Sequence, residues 1–163
     1  MRTTALVLLL LLAAPAVAQY PMGANALRWI GTTSTVGPYC WGFSCTPVQA
    51  TVLPGETGTL FVRSEWSDAY VIGISLSATR CLPLPGFLNQ LALDDPFFVW
   101  QVGVCGTPSP ILACPGGYDN LAVTIPPFFP PGLQFSMQGV TGPPPSPGLT
   151  SFSFTQTIRF TVL

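Results

Sequence analysis

Apolar and polar residues alternate along most of this chain, with a period of two rather than the 3.6 of a helix. The clearest case is the last stretch. Phe152, Phe154, Ile158, Phe160 and Val162 fall on one side of an extended strand, and Ser153, Thr155, Thr157, Arg159 and Thr161 fall on the other. Side chains of a strand point alternately to its two faces, so this pattern predicts one buried and one solvated face. Gln156 is the one polar residue on the apolar side. The same reading places strands at Leu133, Phe135 and Met137 (against Gln134, Ser136 and Gln138) and at Tyr70, Ile72, Ile74 and Leu76 (against Val71, Gly73, Ser75 and Ser77). Leu60, Val62 and Trp66 alternate with Arg63 and Glu65, and Leu121, Val123 and Ile125 form a shorter run. Phe97 to Val104 is apolar on both faces and predicts a central strand, and Val48 to Leu53 ends at the turn Pro54-Gly55.

Proline and glycine punctuate these runs. The segments 126–132 and 142–148 are too rich in proline to serve a central strand and are read as loops. Short strands between turn signals predict an all-β fold: a single antiparallel β-sandwich of about seven to nine strands, stapled by disulfides. Residues 46–163 form this domain. Residues 19–45 are a less regular, aromatic-rich lead-in or a first edge strand.

The start of the chain changes how the rest is read. Arg2 supplies a positive charge, Ala5 to Ala14 an apolar leucine-rich centre, and Ala16-Val17-Ala18 a small-residue exit, which together predict a signal peptide over 1–18 cleaved before Gln19. The apolar run is shorter than the roughly 20 residues that span a bilayer, so no membrane span is expected after cleavage. The expected localisation is secreted, extracellular or periplasmic. In that oxidising setting the five cysteines are candidate staples. Cys40 with Cys45 and Cys105 with Cys114 are the short-range candidates. Cys81 is then free, or an alternative partner for Cys105 or Cys114. Zinc fits poorly, because the spacings are wrong and the chain has no histidine, and no metal or cofactor is expected.

Charge narrows the function classes. Only 7% of residues are charged, against roughly 25% in ordinary globular proteins, and the formal net charge is −1. A few scattered arginines cannot form the basic stripe that nucleic-acid binding needs. Histidine and lysine are both absent, which removes Ser-His-Asp, Cys-His and Ser-Lys nucleophile systems. A carboxylate pair of the glycosidase kind remains conceivable among Glu56, Glu65, Asp68, Asp94, Asp95 and Asp119. Each of these acids reads more simply as turn chemistry or a surface charge, Glu65 and Asp68 pairing with Arg63. The chain is therefore expected not to be an enzyme.

From Gly58 onward the layout resembles a Pro/Leu/Gly-rich β-domain recurrent in secreted, uncharacterised proteins of Planctomycetes and related bacteria. The residues that carry the resemblance are the strand at 70–77, Cys81-Leu82-Pro83-Leu84-Pro85-Gly86, the run Gly132 to Val140, and Gly148-Leu149-Thr150 before the final strand. The resemblance implies an exported β-sandwich and brings no site residues with it. Cys105, Cys114 and the aromatic N-terminal part depart from that layout.

Two functions follow as expectations. The first is a structural, surface-associated or adhesive protein, because a weakly charged surface favours self-association or contact with a cell-envelope or matrix component. The second is a small carbohydrate-binding module. Trp29, Tyr39, Trp41 and Phe43 cluster in or near the Cys40–Cys45 segment, where flat rings could stack on sugars. The simpler alternative is that these aromatics complete the core.

Overall fold

An extended segment with one apolar face must bury it against another, and here the segments pair into three sheets. The computed structural model describes residues 25–40, 42, 44–65, 67–109, 116–142 and 152–163. The expected signal peptide, Trp41, Phe43, Trp66, Cys114 and the Pro-rich 143–148 segment lie outside the described residues. Among the described residues there are fourteen strands and no helix. Five of the strands span only two residues, which is why the strands outnumber those read from the alternation.

The first sheet is antiparallel throughout. Within it β1 (Ala26–Ile30) lies between the edge strand β2 (Thr35–Val36) and the central strand β4 (Thr57–Ser64). β11 (Gly117–Thr124) then pairs with β4 along eight residues, and β10 (Thr107–Pro108) closes the far edge. The 19–45 segment, read as a lead-in or a first edge strand, thus contributes an interior strand, β1, as well as the edge strand β2. Leu27, Trp29, Leu60, Val62 and Val123 point to one face and are buried.

The second sheet has seven strands. β12 (Gln134–Gly142) is its axis, with β5 (Ala69–Ser75) on one side and β9 (Phe97–Val104) beyond it. On the other side lie β13 (Phe152–Phe154) and β14 (Ile158–Val162). Outermost are β7 (Phe87–Leu88) and β3 (Val48–Val52), paired in parallel with β13 and β14 respectively. The expectation of a purely antiparallel arrangement is corrected by these two pairs. Between them, the last strand read from the alternation breaks at 155–157. Gln156 causes the break: its buried carboxamide accepts from Ser44 N (2.7 Å) and donates to the carbonyls of Ser44 (3.1 Å) and Thr46 (2.9 Å). A buried amide needs such partners, and they lie off the ladder.

Tyr70, Ile72, Phe135, Met137, Ile158, Phe160 and Val162 of the second sheet share one core with the first. The Trp29 ring stands edge-on to Phe160 at 5.3 Å, and Phe160 stacks on Phe135 at 4.9 Å. Such pairs contribute about 0.5–1.5 kcal/mol each beyond their burial. A polar link joins the two sheets: the Tyr70 hydroxyl on β5 donates to Asp119 Oδ2 on β11 at 2.6 Å. Burial, and then the Asp119 carboxylate, hold the Tyr70 phenol well above its usual value, so it stays a neutral donor.

The segment 76–96, apart from β7, stands off the second sheet and folds over part of its outer face. The two-stranded sheet of β6 (Leu82–Pro83) and β8 (Gln90–Leu91) lies within it. Gln138 of β12 receives it, accepting from Ala92 N (2.9 Å) and donating to Gln90 O (2.9 Å). Ala78, Ala92 and Leu93 are buried beneath this cover.

Candidate functional site

The cysteines do not pair as the short spacings suggest. Cys45 is bonded to Cys81, with 5.4 Å between the Cα atoms, inside the usual disulfide range. The Gln156 contacts to Ser44 and Thr46 hold Cys45 at the sheet edge, where the 76–96 segment brings Cys81 past it. Gln90 Oε1 lies against both sulfurs. Cys40 is also disulfide-bonded, but not to Cys45. Cys105, expected to staple a hairpin loop, is instead a free and fully buried thiol turned toward the Val62 carbonyl. Burial first, then the Asp68 and Asp119 charges, push its thiol up to about 12. It is therefore a packing residue and not a nucleophile.

The six acids all lie among the described residues, and most are occupied. Glu56, at the Pro54-Gly55 turn, accepts from Thr32 N (2.7 Å), Thr33 N (3.3 Å), Thr33 Oγ1 (2.8 Å) and Leu53 N (2.8 Å). Burial pulls its carboxyl upward, but these donors outweigh it and set it at about 2. Asp68 accepts from Ser64 Oγ at 2.6 Å; burial raises its carboxyl, with Ser64 opposing. Asp94 accepts from Ser77 Oγ, which chiefly lowers its carboxyl, and from Thr79, and it pairs with Arg80 at 3.3 Å. Asp95 pairs with Arg80 at 2.6 Å. The expected pairing of Glu65 or Asp68 with Arg63 is absent among the described residues, where Arg80 alone forms salt bridges. No group of three or more His, Cys, Asp or Glu side chains that could hold a metal ion occurs among the described residues.

The sequence-predicted aromatics separate. Trp29 is fully buried in the core, so it is corrected from a candidate ligand contact to a packing residue. Its place two residues after Leu27, with Arg28 between them, carried that signal. Tyr39 is 51% exposed and stands at the mouth of a hollow of about 120 Å³. The hollow lies on the outer face of the first sheet. Ala26, Arg28 and Ile30 of β1 and Phe61 and Arg63 of β4 line it, with Tyr118 of β11 and Pro38 beside Tyr39. Register explains the cluster: Arg28 lies opposite Phe61, and Ala26 opposite Arg63, which in turn faces Tyr118. Tyr39 reaches the hollow because the chain turns back at Gly37, whose φ of +98° suits glycine and whose carbonyl accepts from Arg28 Nη1 at 3.1 Å.

A second surface was read from the sequence as interior. Among the described residues β9 pairs with β5 alone, which places it at an edge of the sheet and not at its centre. Phe97, Phe98, Val99, Val102 and Val104 are exposed, and Trp100, expected in the core, is 38% exposed beside the bulge between Ile72 and Gly73. Val71 of β5 extends the patch on the same sheet. Two-sided apolarity suits a strand buried on both faces, but nothing in the alternation reveals whether a neighbour lies at each edge. No charged residue interrupts Phe97–Val104, whereas edge strands ordinarily carry charges or prolines that block pairing.

No protein-family model matches the chain, and no curated protein is found to be similar to it.

Proposed function

We propose that this is an exported, non-enzymatic β-sandwich with an adhesive or structural role, which associates with a second copy of itself through the free edge of β9. The five- and seven-stranded sheets are taken as the two layers, joined by the shared core. The observation that carries the reading is the bare, uncharged, eight-residue apolar edge at Phe97–Val104. Backbone donors and acceptors along such an edge are a template for another strand, and the side chains beside it gain by leaving water. Export rests on the 1–18 segment and on the disulfide chemistry. The resemblance to the Planctomycetes β-domain belongs to the same proposal, as does the absence of catalysis, which the other duties of Glu56, Asp68, Asp94 and Asp95 support.

Sedimentation velocity tests it. The purified protein should sediment as a concentration-dependent dimer or larger species. A Val99→Lys, Val102→Lys double variant should be monomeric with an unchanged unfolding midpoint, since both side chains face solvent. A strictly monomeric wild type that also fails to bind cell-envelope or matrix preparations would remove the reading.

A second reading, a small carbohydrate-binding module, is favoured by Tyr39. Its ring is half exposed and held by Arg28, whose guanidinium carbon is 4.3 Å from the ring centroid. A polysaccharide pull-down with a Tyr39→Ala control tests it, and binding indifferent to that change would end it.

A further inference from the structure

The hollow under Tyr39 holds positive charge that the protein leaves uncompensated. Arg63 is only 7% exposed, and its Nη1 has no hydrogen-bond partner. Arg28 Nε is buried and equally unpartnered. Both guanidinium groups approach one phenol ring, at 4.3 and 5.9 Å from the Tyr39 centroid. None of the six acids of the chain lines the hollow. A desolvated guanidinium with an unpartnered N–H and no carboxylate in the same hollow is costly unless an anion completes the site. Burial lowers the Arg63 pKa from its ordinary value, with the neighbouring tyrosines opposing, yet an arginine stays charged at any physiological pH. An unsatisfied buried donor in a native fold calls for a partner.

We propose that this hollow binds the carboxylate of an acidic sugar ring, a uronic-acid residue of an extracellular polysaccharide, with Arg63 and Arg28 holding the carboxylate and Tyr39 the ring. The guanidinium fork matches a carboxylate in a bidentate way. The three rings, Tyr39, Phe61 and Tyr118, supply flat apolar walls, and Phe61 and Tyr118 lie 6.4 Å apart. Size sets the limit: a cavity of roughly 150 Å³ takes benzene, and a uronic acid is larger, so about 120 Å³ with an open mouth takes the carboxylate and one edge of a single sugar ring, the rest of which stays outside. The inference rests on the carbohydrate-binding reading and names the ligand class for it. It does not depend on self-association through β9, which lies in the other sheet.

Isothermal titration calorimetry of the purified protein tests it, with oligogalacturonate, a neutral oligogalactoside, acetate and sulfate as probes. Oligogalacturonate should bind, more weakly as salt rises, and each neutral or small-anion probe should bind at least about tenfold more weakly. Arg63→Met should lower oligogalacturonate affinity about ten- to a hundredfold while leaving the ligand-free protein as stable as the wild type or more so. A loss of stability with unchanged affinity would mark Arg63 as structural and overturn the proposal. Equal binding of acidic and neutral oligomers, both lost in Tyr39→Ala, would leave the carbohydrate-binding reading standing and overturn the acidic one. Acetate or sulfate binding as tightly as the oligomer would overturn the sugar ring, and no binding by any probe would overturn both.

Discussion

Replacing Glu56 by glutamine removes one charge from the junction that ties the 31–34 turn to the end of β3. The carboxylate accepts four hydrogen bonds there, from Thr32 N, Thr33 N, Thr33 Oγ1 and Leu53 N, all between 2.7 and 3.3 Å. Its carboxyl falls from 4.5 to about 2, which corresponds to about 3 kcal/mol of preference for the charged form in the folded chain. Some of that is screened at a site beside the surface, so the expected loss on Glu56→Gln at pH 7 is about 2 kcal/mol. For a chain of this size that lowers the unfolding midpoint by roughly 4–8 °C. The pH dependence is the sharper test. Because folding depresses this pKa, the stabilisation is complete above the unfolded value of 4.5 and is lost as pH falls toward 2. Urea unfolding of both proteins, followed by tryptophan fluorescence at steps from pH 7 to 2, isolates the effect, since the other carboxylates cancel in the difference. The gap should narrow steadily below pH 5 and close near pH 2. A gap that is constant over this range would refute the assignment of the stabilisation to the Glu56 charge.

Cys45→Ser should cost about 3–4 kcal/mol, from the unfolded-state entropy released when a link between residues 36 apart is opened, read as a lower urea midpoint. Cys105 should resist alkylation in the native protein and be labelled only on unfolding, as peptide mass spectrometry would report, because its thiol is buried and held at about 12. Gly58→Ala should destabilise by about 1–3 kcal/mol in thermal unfolding, since a Cβ there would run into the Trp29 ring, which is locked in the core.

Sequence reasoning found most of the long strands because their period of two survives in the structure. β4, β5, β12 and β14 bury the residues the alternation marked: Leu60 and Val62, Tyr70 and Ile72, Phe135 and Met137, Ile158 and Phe160. Leu76 does not follow, being exposed just beyond the end of β5. Tyr39 was legible as a candidate because it is aromatic and flanked by Pro38 and Cys40 in an irregular segment. Arg28 and Arg63 were missed: in sequence Arg63 reads as the partner of Glu65 and Asp68, and the only signal was that both are cations in a chain short of charge. Their meeting depends on the register that sets Ala26 against Arg63 and Arg28 against Phe61, and register is a property of two strands together.

The residues alone determined that this chain is all-β, that its strands have one apolar face, and that its chemistry is short of charge and of catalytic bases. These are local or compositional facts, carried by each segment independently of its neighbours. Tertiary structure decided which cysteines meet, that the aromatic N-terminal segment supplies an interior strand, and that the side chains of the most apolar run are exposed. It also decided that two arginines converge under one tyrosine. Each of these is a relation between segments far apart in the chain, set by pairing and packing, and a single strand's pattern holds no record of its neighbours.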